Sequence, residues 1–155
     1  MSTVLIADDD TDITDALQHV FIRAGLTVLT AADGLEALAK AVRTLPDLVL
    51  TDLNMPRMDG LQLCTAIRAH PATAGIPVAV LSGSLRRGDP RAIAASACRA
   101  WIKPLANSAL VAGVQELLTA GRHHHAAVNT CVRVAGAAQD LMASTAIDIA
   151  RARGC

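Results

Sequence analysis

The sequence predicts an α/β fold: five parallel strands, each followed by a helix, in an open, doubly wound (βα)5 sheet. Short apolar runs alternate with longer amphipathic stretches, the pattern of strands separated by helices. Several of the short runs are nearly continuous in Val, Ile, Leu and Ala, as parallel strands covered on both faces require. The chain has 155 residues, 52% of them hydrophobic but only 1% aromatic. That suits one core of branched aliphatics and is too short for two full-size domains.

The first strand, over 4–7, ends at a run of three Asp. A helix over 12–24 places Ile13, Ala16, Leu17, Val20 and Ala24 on one stripe, and Gly25 supplies its stop. A strand over 27–30 leads to a helix over 34–45, which Pro46 ends. The third strand, over 48–51, is followed by a helix over 60–69 carrying Leu61, Cys64, Ile67 and Arg68, broken at His70-Pro71. The fourth strand spans 78–81, and Pro90 suits the first turn of a short helix over 90–96. A brief strand at 101–102 and a helix over 107–120 complete the set, with Leu110, Val111, Val114, Leu117 and Leu118 inward.

The predicted domain is therefore 1–121, and 122–155 is a linker with a helical extension. His123, His124 and His125 read as a polar linker, since three adjacent side chains do not converge on a helix. From 126 to 153 an Ala-rich stretch without Pro predicts one helix, with Val128, Cys131, Ala135, Ala138, Met142, Thr145 and Ile149 on a weak heptad seam. That seam suits packing on the domain or pairing in a homodimer. The extension is too short for a helix-turn-helix with its own core, so no direct DNA binding is expected.

Composition narrows the function classes. Net charge is zero, which gives no general affinity for polyanions, and few rings leave no stacking platform for single-stranded nucleic acid. Cys64, Cys98, Cys131 and Cys155 are scattered without a CxxC pair, as expected of free thiols. No leader pattern and no membrane-length apolar run occurs, so a cytoplasmic location and no membrane partner are expected. Five Asp in the first fifteen residues are the local exception to the neutral balance.

Open parallel sheets bind ligands beyond the carboxyl ends of their strands, where the strand order switches. The residues just after the strands are Asp8, Asp9 and Asp10, then Asp52, then Ser82, then Lys103-Pro104. A parallel sheet brings them to one edge. Carboxylates gathered there repel one another unless a cation joins them, and Mg²⁺ prefers a few carboxylates with water and phosphate oxygens. A hydroxyl and an ammonium complete a phosphoryl cradle in which a carboxylate can be the nucleophile. Asp10 and Asp12 read instead as helix N-cap and first-turn carboxylates. Asp59-Gly60 reads as a turn and helix start.

The segments VLIADDD, DLVLTDLNMPRMDG, VAVLSGS and WIKP, in this order and spacing, resemble the receiver domain of response regulators over roughly residues 3–120. The resemblance implies the flavodoxin-like strand order 2-1-3-4-5 and a phosphoryl group accepted by Asp52 from a histidine kinase or phosphotransfer protein. It further implies Mg²⁺ held by Asp8, Asp9, Asp52 and the backbone carbonyl of Asn54. Ser82 becomes the switch hydroxyl, Lys103 its partner at the phosphate, and Lys103-Pro104 a cis peptide. On this reading the chain is a signalling module that catalyses only its own phosphorylation and slow dephosphorylation, through a switched protein-protein surface. The alternatives are phosphorylation-controlled dimerisation through the tail helix and a Mg²⁺-dependent phosphohydrolase. The hydrolase would need an acid two residues after its nucleophile, where Asn54 stands.

One departure concerns the switch aromatic, which the family usually carries three residues before the lysine. That place is Ala100 here, and Trp101 follows it. Either Trp101 is the switch aromatic on a shortened strand or it is a core residue.

Overall fold

The computed structural model describes residues 1–85, 89–95, 97–121 and 133–135. The elements run β1 (Thr3–Ala7), α1 (Thr11–Arg23), β2 (Thr27–Ala31), α2 (Gly34–Thr44), β3 (Leu48–Asp52), α3 (Gly60–Ala69), β4 (Val78–Ser82), α4 (Pro90–Ala94), β5 (Arg99–Ile102), α5 (Asn107–Ala120) and β6 (Arg133–Ala135). The sheet order is β2-β1-β3-β4-β5-β6, and every pairing is parallel. The predicted five strands and their order 2-1-3-4-5 are therefore present.

Strand alternation builds two cores. Leu5, Ala7, Val49, Val78, Val80 and Ala100 pack with Ala37 and Ala41 of α2 and Leu63, Cys64 and Ile67 of α3. On the opposite face Val4, Ile6, Leu48, Leu50, Leu81 and Trp101 pack with Leu17 and Phe21 of α1 and Leu110, Val114 and Leu117 of α5. Burying each such large side chain contributes about 1.5–3 kcal/mol. A partly exposed i,i+4 pair such as Glu36–Lys40 adds about 0.2–0.5 kcal/mol. Packing on both faces, not surface charge, holds the sheet.

Local chemistry fixes the helix starts. Asp10 caps α1 by accepting from the Asp12 and Ile13 N–H groups. Asp59 and Gln62 form a reciprocal capping box at α3. Three helix readings need correction. Ala16 is exposed, while Thr14 and fully buried Phe21 join Leu17 on the inner stripe of α1. Thr14 can be buried because its hydroxyl donates to the Thr11 carbonyl at 2.9 Å. On α3, Leu63 takes a fully buried place and Leu61 only a partly buried one. α4 ends at Ala94, and Ser96, the predicted end, lies outside the described residues.

Residues 133–135 form a strand beside β5 where the pattern predicts helix. The outer edge of β5 offers unpaired backbone groups, which three residues of any composition can satisfy. The rest of the predicted 126–153 helix, its seam apart from Ala135, and the histidine run lie outside the described residues.

Candidate functional site

The residues at the carboxyl edge of the sheet come together as the topology requires. β1 ends at Ala7, and the next residue, Asp8, donates its N–H to the Ala31 carbonyl at 3.1 Å. Asp52 is the last residue of β3 and Ser82 the last of β4. Lys103 follows β5, with its N–H on the Ser82 carbonyl at 2.9 Å.

Asp8, Asp9 and Asp52 each present a carboxylate oxygen within 4.8 Å of the others. The Lys103 ammonium donates to Asp52 Oδ1 at 3.1 Å and stands 3.8 Å from Asp8 Oδ2. The expected cis peptide at Lys103-Pro104 is present. Asp8 is only 5% exposed. Burial raises its carboxyl above the ordinary range, the Asp10 N–H at 2.9 Å opposes that, Asp52 adds to it and Lys103 offsets it. Among the described residues one ammonium faces these three carboxylates, an excess of negative charge. Hard oxygen donors with uncompensated charge fit a divalent cation such as Mg²⁺.

Ser82 is fully buried, and its hydroxyl lies 3.1 Å from Ser84 Oγ while accepting the Ser84 N–H at 3.0 Å. Asn54 is exposed in the loop after β3, and its amide makes a long contact of 3.5 Å to Ser84 Oγ. Ser84 is thus the residue that ties the Asn54 loop to Ser82. Sequence reading missed it, though its place in the SGS triplet was the available signal.

Trp101 is not brought to this cluster. It is 5% exposed in the α1/α5 core, with Arg99 stacked over its ring at 5.6 Å. Ala100 occupies the other face, among Leu85, Ala95 and Ala97. Alternation along β5 thus turns Trp101 into the α1/α5 core and leaves the methyl group of Ala100 at the place where the family usually carries its aromatic.

Glycines set the approach of the loops. A Cβ at Gly60 would lie 2.1 Å from the Asp52 carbonyl oxygen, and one at Gly34 would lie 2.4 Å from that of Met58. Both follow an Asp that caps a helix. The Asp-Gly pairs signal the helix starts, whereas the close approaches depend on which loops meet.

Known proteins resemble this chain in sequence and fold. The family described as Response regulator receiver domain matches residues 4–115. Transcriptional regulatory protein PrrA of Mycobacterium leprae (strain TN) is 40% identical over 116 residues, 74% of this chain and 49% of that protein. Protein PilG of Pseudomonas aeruginosa is 38% identical over 79 residues, 51% of this chain and 58% of that protein. The chain spans about half the length of the curated relatives it matches. The crystal structure of chemotaxis response regulator CheY4 of Vibrio cholerae superposes with a TM-score of 0.71 at 32% identity, covering 76% of this chain and 98% of that one.

Proposed function

Because this chain belongs to the response regulator receiver family, which spans its residues 4–115, we propose that Asp52 is its phosphoacceptor. The donor is a phosphohistidine on a histidine kinase or phosphotransfer protein. An Asp52 carboxylate oxygen forms the new P–O bond while the donor's P–N bond breaks and its electron pair returns to the imidazole. Asp8, Asp9, Asp52 and the Asn54 backbone carbonyl would hold Mg²⁺, which when bound neutralises phosphoryl charge. Lys103 keeps its ammonium beside Asp52 and orients the carboxylate. The observation that carries this reading is the convergence of Asp8, Asp9 and Asp52 within 4.8 Å, with Lys103 at 3.1 Å from the central carboxylate.

Ser82 is the proposed switch hydroxyl. Its contacts with Ser84 are local, so it can exchange them for a phosphoryl oxygen without unfolding the strand. A signalling role in the cytoplasm suits this chemistry better than hydrolytic turnover. Asn54, two residues past Asp52, offers an amide where a phosphohydrolase needs an acid. Among the described residues no helix is long and apolar enough to cross a membrane.

Incubation of the full chain with acetyl phosphate and Mg²⁺, followed by intact mass spectrometry, tests the reading. One added phosphoryl group is expected, absent in Asp52→Ala and absent with a chelator. A modification that persists in Asp52→Ala would overturn it.

A further inference from the structure

The loop between β3 and α3 carries Asn54 and is pinned more firmly than its exposure suggests. Its end is held by the Asp59 capping box and by the Gly60 N–H on the Leu53 carbonyl at 2.8 Å. Its middle is held by a different element. Arg57 pairs through its guanidinium with Asp33 Oδ2. Asp33 is 3% exposed and caps α2, its Oδ1 accepting the Glu36 N–H at 2.9 Å. Each oxygen of one buried carboxylate thus has a separate partner. Next to this pair, Met58 presses against Gly34 so closely that no side chain fits there.

Arg57 also sits at a φ of 65°, in the left-handed region that residues other than Gly, Asn and Asp rarely adopt. Such a conformation persists where its surroundings hold it. The ion pair and the Met58–Gly34 contact are those surroundings. Arg57 itself is 66% exposed, so the pair adds little to global stability. Its effect falls on the loop rather than on the fold.

We propose that Arg57 is a positioning residue: its ion pair with Asp33 latches the acceptor loop onto the first turn of α2 and thereby sets the place of the Asn54 carbonyl. The proposal rests on the reading of Asp52 and Asn54 as cation ligands. Residues that orient a metal's ligands without touching the metal typically alter affinity by about 10–100-fold.

The test uses the full chain and Mg²⁺ alone, titrated by calorimetry without phosphodonor. Arg57→Gly removes the pair and relieves the left-handed backbone; Asp33→Asn keeps a helix cap and removes the charge. Both are expected to weaken Mg²⁺ binding about tenfold while leaving the metal-free Tm close to wild type. Arg57→Lys recovers most of the affinity. Amide hydrogen exchange of the metal-free chain over 53–59 is expected to quicken in both loss variants, with β1 and β3 unchanged. Wild-type affinity in Arg57→Gly and Asp33→Asn would overturn the latch, as would losses that scale with a falling Tm. Absence of Mg²⁺ binding by the wild type itself would overturn the cation-site reading and the latch with it.

Discussion

Asp8 combines burial, two neighbouring carboxylates and one ammonium in a single side chain. Its folded pKa lies above the ordinary 3.8, chiefly through burial, with the Asp10 N–H and Lys103 in opposition. The native state therefore holds this proton more tightly than the unfolded chain does. The contribution of Asp8 to the stability of the metal-free protein therefore falls as pH rises from 3.8 through the raised folded value. Asp8→Asn is expected to raise the metal-free Tm at neutral pH and to abolish Mg²⁺ stabilisation. Thermal melts with and without Mg²⁺ check this, and a lower metal-free Tm in the variant would contradict it. Asp33 has the opposite sign. The Glu36 N–H, then Arg57, hold its carboxyl below 3.8, so its contribution is present above that value and is lost as pH falls through the folded pKa. Cys64 is inert by the same logic as Asp8. Burial pushes its thiol up to about 12, and its Sγ–H donates to the Ala95 carbonyl at 3.0 Å. Alkylation of native Cys64 at mildly alkaline pH is expected to be far slower than in denaturant, as peptide mass mapping would show. Equal rates would contradict it.

Among the elements, β5 shows what pattern reading reaches and where it stops. The strands over 4–7, 48–51 and 78–81 were legible because unbroken aliphatic runs leave no other economical burial. Helices 60–69 and 107–120 were legible because Asp59-Gly60 opens the first and His70-Pro71 breaks it, and Gly121 closes the second. The face of Trp101 was not, since a two-residue apolar signal does not fix register and one step reverses the side chain. Its packing depends on Gly113 of α5, where a Cβ would come within 2.4 Å of the indole. Gly113→Ala should destabilise by about 1–3 kcal/mol through overpacking, measured by urea unfolding. A change within the error of that measurement would show that the ring yields. The inner stripe of α1 was missed for a related reason. Thr14 carries a hydroxyl that pattern reading places outside, whereas its bond to the Thr11 carbonyl lets it join Leu17 and Phe21 on the buried stripe.

At the scale of the molecule, convergence of the site was legible because parallel topology alone brings the ends of β1, β3, β4 and β5 to one edge. Contacts between loops were not, because Arg57 and Asp33 are 24 residues apart and nothing in either segment names the other. The domain boundary at 121 is also open to measurement. Among the described residues the two cores are closed by α1, α2, α3 and α5, and only the short β6 lies beyond Gly121. A chain ending at Gly121 is expected to unfold in one transition with a Tm within about 4 °C of the full chain, the effect of about 1 kcal/mol. A much larger loss would make the tail part of the fold. The central claim, that Asp52 accepts the phosphoryl group, is tested most directly by chemical trapping. Borohydride reduces an acyl phosphate to the alcohol, so phosphorylated chain treated this way and digested should carry homoserine at position 52. Homoserine at position 8 or 9, or phosphate retained on Ser82, would contradict the account.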